Sequence, residues 1–537
     1  MHDSVRFARC RRTLGILIAV GCALLMALPA LASGAAPEAS AAQQGPVQIG
    51  EVLDRAFASP RELPPLREAR EEPTAVPVWR DEIHVPNATY VAPYFSRFEL
   101  PRGDYVIVRS PDHRRSWRYE GLGKGDLGIT GGFWGIHIPG DRAIVELYSA
   151  SRDGRFGYEI DRVARGFTRD ELTARYGADA PIFDAKDDPT AESICGADDS
   201  REARCYGGVT YDRARAVARL LINGTGWCTG WLIGSEGHII TNQHCIGSGG
   251  DATNTDFEFM AEGANCATNC RFDGACAGTV EATTSTLVQI DVNLDYALVR
   301  LPTNVTGTYG FLQLRRTGAI NGERIYIPQH PLGWGKRIAW DSSHPQNPGG
   351  FAEVDSLTAP RCGGAAGNDI EYYADTRRGS SGSPVLATAD NLVIALHHCR
   401  GDAACTANGG DGNRGVPIED IIADLGTNLP DDALGCRWPD GHASFCRDCG
   451  PCRDGEGDCD GNGECIAGTT CENDVGPNYG WASWVDVCVR PANADCLEDC
   501  ARDYADCQVD FCYYDYDAYM CSTGCSLEFQ QCRNRCG

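Results

Sequence analysis

The chain has 537 residues, more than one hydrophobic core can organise, so three or four domains are expected. Its formal net charge of −26 argues against nucleic acid or an anionic membrane as the main partner, because both would repel it. Beyond the first apolar segment, no stretch approaches the ~20 apolar residues that a transmembrane helix needs.

The first segment has the pattern of a secretory signal peptide. Four arginines precede the apolar run TLGILIAVGCALLMALPALA, and ALA at 30–32 fits a signal-peptidase site. We therefore expect residues 1–32 to be removed and the mature chain to be secreted, extracellular or periplasmic. The remaining cysteines are even in number and are expected to form structural disulfides in that oxidising compartment. A monomer without cofactor or metal is expected.

The next residues predict a linker and then a small β domain. Residues 33–72 begin with a segment rich in Ala, Pro and Ser and are assigned to the linker. Residues 73–168 contain short alternating β runs between turns such as RGD and IPGD, which predicts a β-sandwich. This sandwich is either a pro-domain or a binding domain. An Asp-rich junction, 169–193, is a candidate processing site.

Residues 194–428 again have a β pattern, and one Gly/Ser turn within them has the features of a nucleophile. In GSSGSP, Ser381 alone has glycines at both −2 and +1, Gly379 and Gly382. These glycines allow the tight turn that exposes a hydroxyl and aims backbone N–H groups at one point. We predict Ser381 as nucleophile, with the N–H groups of Gly379 and Ser381 as the oxyanion hole.

A base and a carboxylate precede that turn in the chain. His244 ends the strand pattern GHIITNQH, and Asp295 begins the run DYALVRL. An imidazole can act as general base, and a buried carboxylate can fix its tautomer. The order His, Asp, Ser differs from the Ser, Asp, His order of α/β-hydrolases. It favours the double β-barrel protease plan.

The motifs TNQHC, DYALVRL, PQHPLG, GSSGSPV and VIALHH resemble those of the secreted bacterial chymotrypsin-fold endopeptidases, which include glutamyl and lysyl endopeptidases. The resemblance covers residues 194–426. It implies a mainly β fold of two six-stranded barrels, with His244, Asp295 and Ser381 as the triad in the cleft. Trypsin-like zymogens have an Asp directly before the nucleophile, whereas this sequence has Ser380 at that position. Activation through that aspartate is therefore not expected.

The resemblance also implies three disulfides in this domain. They join Cys228 to Cys245, Cys205 to Cys266 and Cys195 to Cys405. The first would pin the strand pair that carries His244. Two pairs then remain, Cys270 with Cys276 and Cys362 with Cys399.

The residues around the expected specificity pocket leave the preferred bond open. Asp375, six residues before Ser381, is a candidate receptor for Lys or Arg, and Asp411 is a second one. His397 resembles the pocket histidine of glutamyl endopeptidases, but lysyl endopeptidases share it. We lean to Lys or Arg, with a glutamyl-specific enzyme as the alternative. His330 and His398 are expected to be structural.

The C-terminal part divides into two cysteine-rich segments. Residues 436–488 predict a small disulfide module. Residues 494–537 contain eight cysteines with nearly mirror-symmetric spacing, which predicts two antiparallel helices joined by nested bridges. The expected bridges are Cys496–Cys536, Cys500–Cys532, Cys507–Cys525 and Cys512–Cys521.

The sequence therefore predicts a secreted serine endopeptidase that acts on protein or peptide substrates through an acyl-enzyme. Nucleic acid and membranes are not expected partners. The alternative of another class is a non-catalytic binding protein that keeps the protease fold as a scaffold.

Overall fold

The structure is a computed structural model. It describes residues 46–60, 76–124, 132–150, 157–176, 194–401, 405, 409–435, 441–448, 452, 455–465, 468–479 and 481–489. The signal-peptide segment and the predicted helical hairpin, with its four bridges, lie outside these residues. Among the described residues, no helix combines the length and apolar composition needed to cross a membrane.

Two antiparallel sheets form an N-terminal sandwich over residues 50–166. One sheet has the order β2-β10-β4-β7 with β8 beside β4, and the other has the order β3-β9-β5-β6. Alternating side chains of both sheets are buried between them, and they include Phe95, Val106, Val145 and Val163. The strands are β2 (Gly50–Ala58), β3 (Trp79–His84), β4 (Tyr90–Phe98), β5 (Tyr105–Arg109), β6 (Ser116–Glu120), β7 (Phe133–Trp134), β8 (Ile138–Pro139), β9 (Arg142–Tyr148) and β10 (Tyr158–Gly166), and helix α1 (Arg169–Tyr176) follows.

The expected linker contains regular structure, which corrects the prediction for residues 33–72. Strand β2 pairs along its whole length with β10. The preceding strand β1 (Val47–Gln48) pairs with Trp227 and Gly226 farther along the chain. Val47 and Ile49 are both buried there. Burial of these two side chains by distant partners, rather than a local alternation, makes this segment extended.

Residues 194–435, called the central region below, contain two larger antiparallel sheets. The first has the order β16-β15-β12-β13-β14-β18-β17, with β1 added beside β13. Its own strands are β12 (Val217–Ile222), β13 (Gly226–Ile233), β14 (His238–Thr241), β15 (Thr255–Phe259), β16 (Thr279–Ala282), β17 (Thr286–Asp291) and β18 (Tyr296–Arg300). The short helices are α2 (Gly208–Ala214), α3 (Gly249–Thr253) and α4 (Thr306–Tyr309).

The second sheet has the order β11-β21-β20-β24-β25-β26-β23-β22. Two short parallel strands extend it, since β19 pairs with β25 and β27 pairs with β19. Short flanking strands make both sheets larger than the expected six strands. One apolar core runs through both sheets and includes Trp231, Leu298 and Leu396. The strands are β11 (Arg201–Glu202), β19 (Leu314–Arg315), β20 (Ile325–Gln329), β21 (Arg337–Ala339), β22 (Val354–Pro360), β23 (Asn368–Tyr372), β24 (Pro384–Ala387), β25 (Val393–Arg400), β26 (Asn413–Pro417) and β27 (Leu434–Gly435), followed by α5 (Ile418–Leu425).

The described part of the C-terminal region is a small disulfide-bonded module. Its three strands have the order β28-β30-β29. Bridges join Cys446 to Cys452, Cys459 to Cys471 and Cys465 to Cys488. The elements are α6 (Phe445–Asp448), β28 (Glu456–Gly457), β29 (Thr470–Glu472) and β30 (Val487–Val489).

Candidate active site

His244 lies in the turn that follows β14, against the start of β18. Its ring Nδ1 is 2.7 Å from Oδ2 of Asp295, and its backbone N–H donates to Oδ1 at 3.0 Å. Asn242 supports the other side by donating from Nδ2 to the Asp295 carbonyl, at 2.8 Å. Two independent bonds from one histidine therefore hold this carboxylate, and the ring contact orients the imidazole.

The carboxyl group of Asp295 is buried but remains charged. Burial alone would raise its pKa, but the nearby rings of His244 and His398 outweigh that effect and hold the pKa well below the usual value. A charged carboxylate at Nδ1 keeps the proton there and leaves Nε2 of His244 able to accept one. This is the arrangement that a general base requires.

The three serines of GSSGSP have different environments. The Ser380 hydroxyl donates to Oε1 of Gln329 at 2.5 Å, and the Ser383 hydroxyl donates to the Ser380 carbonyl at 2.6 Å. Both side chains are buried, whereas Ser381 is half-buried. Within the described part of the chain, the Ser381 hydroxyl has no hydrogen-bond partner. Ser381 is therefore the serine of this turn whose hydroxyl remains available for chemistry.

Backbone bonds define the shape of the turn around Ser381. Gly379 and Gly382 have φ of 90° and 88°, the left-handed region that favours glycine. The N–H of Ser380 donates to Arg377 O at 2.8 Å, and that of Gly382 donates to His397 O at 2.9 Å. Among the described residues, the N–H groups of Gly379 and Ser381 have no acceptor. These two are the donors expected to form the oxyanion hole.

The first sheet and the Ser381 turn are bonded directly to each other. Thr229 of β13 donates from its backbone N–H to Ser381 O at 2.9 Å and from its hydroxyl to Gly379 O at 2.8 Å. On the other side, Sγ of Cys245, the residue after His244, is 4.0 Å from Ser381 O. The histidine-bearing turn and the serine-bearing turn therefore lie side by side.

Asp375, the first candidate receptor of the specificity pocket, has backbone partners in the structure. It is buried, and its two carboxylate oxygens accept backbone N–H bonds from Cys195 at 3.2 Å and Asp199 at 2.7 Å. Burial, with the neighbouring Asp198, raises its pKa well above the usual value. Asp375 thus anchors the start of the central region.

The other two pocket candidates have different surroundings. Asp411 is partly exposed, and its Oδ2 is 3.4 Å from Nη2 of Arg414, so a cation already faces it. His397 is buried, with Nδ1 2.8 Å from the Tyr372 hydroxyl. Burial, with the neighbouring rings of His398 and His244, lowers the pKa of His397 to about 3. His397 is therefore neutral.

His398, expected to be structural, touches the candidate triad. Its Nδ1 is 3.2 Å from Oδ2 of Asp295, the same oxygen that His244 contacts. Sequence inspection missed this contact because neighbouring strand residues point to opposite faces, and only the folded sheet shows which face meets Asp295. His330, by contrast, bonds the Trp334 carbonyl at 3.0 Å and is buried.

Five disulfides connect the central region. They are Cys195–Cys405, Cys205–Cys266, Cys228–Cys245, Cys270–Cys276 and Cys362–Cys399. These are the three pairs that the resemblance implies and the two pairs that remained. The Cys228–Cys245 bridge ties β13 to the residue beside His244. In the described residues, each cluster with metal-ligand spacing includes cysteines already committed to disulfides.

Comparison with known proteins places this site within a recognised domain. The family model for the trypsin-like peptidase domain matches residues 228–396, a span that contains His244, Asp295 and Ser381. Secreted RxLR effector protein 73 of Plasmopara viticola is 44% identical over 323 residues, covering 58% of this chain and 75% of the relative.

Solved structures also align with the chain at low identity. A Glu endopeptidase in complex with MPD is 15% identical with a TM-score of 0.30, covering 44% of this chain and 99% of that one. The HtrA-type protease AlgW with tripeptide is 15% identical with a TM-score of 0.29, covering 40% of this chain and 60% of that one.

Proposed function

Because the chain belongs to one family with secreted RxLR effector protein 73 and contains a trypsin-like peptidase domain, we propose that it is a serine endopeptidase. Ser381 is the nucleophile, His244 the general base and Asp295 the residue that orients it. The observation that carries this proposal is the pairing of His244 with Asp295 beside a turn whose Ser381 hydroxyl is left unbonded.

The proposed reaction follows the geometry of these groups. Nε2 of His244 takes the proton of the Ser381 hydroxyl as Oγ attacks the substrate carbonyl. The oxyanion that forms is stabilised by the N–H groups of Gly379 and Ser381. His244 then protonates the leaving amine, which produces an acyl-enzyme. Water, deprotonated by His244, hydrolyses the acyl-enzyme and restores Ser381. The charge of Asp295 stabilises the imidazolium in both steps.

The surroundings of the pocket candidates favour an acidic residue before the cleaved bond over the Lys or Arg first expected. Asp375 is committed to two backbone N–H groups, and Asp411 faces Arg414. The Tyr372 hydroxyl can donate to Nδ1 of His397, which leaves the proton of the neutral ring on Nε2. His397 would then offer an N–H donor to a substrate carboxylate, next to the turn it supports through Gly382.

The first test is labelling of the intact protein with a fluorophosphonate probe, which reacts with activated serine hydroxyls. We expect the natural chain and Ser380→Ala to be labelled and Ser381→Ala to be unlabelled. Ser380→Ala is the matched control, since it removes a neighbouring hydroxyl that is already bonded to Gln329. Absence of labelling in all three folded proteins would favour the non-catalytic scaffold instead.

The second test is cleavage of a mixed peptide library by the natural chain that has not been exposed to the probe. Cleavage after Glu or Asp, reduced by His397→Gln, would support the proposed pocket. Cleavage after Lys or Arg, reduced by Asp411→Asn, would return the assignment to the first expectation.

We also propose that the protein acts outside the cell, as a monomer, on proteins or peptides. The signal-peptide pattern, the disulfides and the description of its relative as secreted support the extracellular location. The domain limits given by the sequence, with strands β1 and β2 added within 33–72, are part of this proposal. In this proposal the protein is a bacterial enzyme made as a zymogen, and the sandwich acts by folding assistance or binding.

A further inference from the structure

His398 lies on β25 between two buried carboxylates from different elements. Its Nδ1 is 3.2 Å from Oδ2 of Asp295, and its Nε2 is 2.9 Å from Oδ2 of Asp369. The side chain of His398 is 3% exposed, so water does not replace either partner. One ring therefore joins the candidate triad to a second acidic group.

Asp369, on β23, is itself held firmly. Its Oδ1 accepts from Nε of Arg361 at 3.2 Å, and its Oδ2 accepts from the backbone N–H of Cys362 at 3.0 Å. The Cys362–Cys399 disulfide joins this segment to the residue after His398. Both sides of the His398–Asp369 contact are thus fixed covalently and by hydrogen bonds.

The chemistry of these partners specifies the protonation of the ring. Ionised carboxylates accept hydrogen bonds and donate none, so a donor is required at both ring nitrogens of His398. Only the doubly protonated imidazolium supplies two donors. A neutral ring would leave a lone pair facing one of the carboxylates. The geometry therefore favours a charged His398 in the folded protein.

The surrounding charges agree with this geometry. Burial alone would lower the pKa of His398, but Asp295 and Asp369 outweigh that effect and raise it to about 9. The other titratable or charged groups near this pair are His244 on Asp295, Arg361 and Tyr372 near Asp369, and the neighbouring His397. Arg361 is further paired with Asp420 at 2.7 Å.

We propose that His398 is a positioning residue of the protease site, which in its protonated form holds Asp295 where Oδ2 accepts the Nδ1 proton of His244. When the His398 ring loses one of its two protons at alkaline pH, one of its hydrogen bonds to Asp295 and Asp369 is lost, and the orientation of Asp295 loosens. His398 thereby sets the alkaline limit of activity without touching the substrate. This inference rests on the proposed function.

The test is the pH profile of peptide cleavage by the intact protein, compared with Asp369→Asn. We expect kcat/KM of the natural chain to fall with a midpoint near pH 9. In Asp369→Asn, the loss of one carboxylate should move that midpoint to lower pH by about one unit or more. A residue with only a packing role would change the amplitude but not the midpoint.

His398→Gln removes the titrating ring itself. We expect kcat to fall about 10- to 100-fold because Asp295 is no longer oriented, while KM changes little. The His398-dependent alkaline decline should disappear. His84→Gln is the matched control, since His84 faces Asp141 at 3.1 Å in an exposed pair on the sandwich. Its profile should overlay that of the natural chain.

A titration by NMR keeps the inference falsifiable if either variant fails to fold. In the natural chain, the imidazole nitrogens of His398 should report a doubly protonated ring up to about pH 9. A ring that is neutral at pH 7 would overturn the inference, as would an alkaline midpoint unchanged in folded Asp369→Asn. Fluorophosphonate labelling separates these results from failure of the proposed function, in which the natural chain itself is neither labelled nor active.

Discussion

The Ser381 turn approaches the first sheet so closely that Gly382 has no room for a side chain. A Cβ added there would lie 2.1 Å from Thr229 O and 2.4 Å from Oγ1 of Thr241. Thr229 also bonds to Ser381 and Gly379, so a displaced Thr229 would displace the whole turn. The position of the nucleophile therefore depends on the small size of Gly382 as much as on its backbone flexibility.

Gly382→Ala should consequently lose both stability and reactivity. We expect the free energy of unfolding to fall by about 2–4 kcal/mol, combining overpacking with the cost of a positive φ. Urea unfolding measures the first effect, and the rate of fluorophosphonate labelling measures the second. Gly322→Ala is the control, because Gly322 has φ of 77° and no atom within 4 Å of an added Cβ. A loss as large in Gly322→Ala would show that φ strain alone explains the result.

At the scale of elements, Ile49, the residue between β1 and β2, joins the sandwich to the central region. The Ile49 N–H donates to Thr225 O at 3.0 Å, and its carbonyl accepts from the Phe167 N–H at 2.8 Å. Its side chain is buried with those of Trp227 and Tyr90. A single residue thus contributes to the backbone and the apolar core of both parts.

Truncation of that side chain should weaken the junction. We expect Ile49→Ala to lower the free energy of unfolding by about 2–5 kcal/mol, since a buried cavity would remain. Val52→Ala, on the adjacent strand and 42% exposed, should change it by less than about 0.5 kcal/mol. Chemical denaturation of both variants distinguishes a specific anchor from general sensitivity of this segment. Equal effects would contradict the anchoring role.

The sequence predicts elements whose signals are local, but it does not show the contacts that residues make with partners far away in the chain. The alternating pattern before His244 predicts a strand, and β14 ends three residues before that histidine. Asp375, however, turns toward Cys195 and Asp199, which are far away in the chain. The contact of His398 with Asp295 likewise arises only when the two sheets pack together.

At the scale of the whole molecule, buried charges bind the sandwich to the central region. Arg115 of the sandwich and Arg219 of β12 both pair with Glu258, which is fully buried. Burial would raise the pKa of Glu258, but the two arginines outweigh it and hold the pKa well below the usual value. Removal of the sandwich would leave this carboxylate with one cation fewer, which is strongly unfavourable in a buried site. The ion pairs at Glu258 therefore couple the stability of the central region to the presence of the sandwich.

A second buried carboxylate at this junction should make stability depend on pH. Asp273 accepts from Nε1 of Trp227 at 2.6 Å and from the hydroxyl of Thr89, in the sandwich, at 3.3 Å. Burial raises its pKa from 3.8 to about 7. Because the folded-state value is the higher one, the folded protein binds the extra proton between these limits. The contribution of the Asp273 carboxyl to the free energy of unfolding is complete below pH 3.8 and is lost as pH rises through 7.

Asp273→Asn should therefore stabilise the protein at pH 8 and have little effect below pH 3.8, because asparagine resembles the protonated acid and cannot ionise. Each pKa unit of the shift corresponds to about 1.4 kcal/mol, which sets the scale of the gain. Thermal unfolding of both proteins from below pH 3.8 to pH 8 measures the difference in slope. Asp161→Asn, an exposed carboxylate on β10, is the control and should leave the slope unchanged. Parallel curves for the natural chain and Asp273→Asn would show that Asp273 is already ionised in the folded protein, and that the junction tolerates a buried negative charge there.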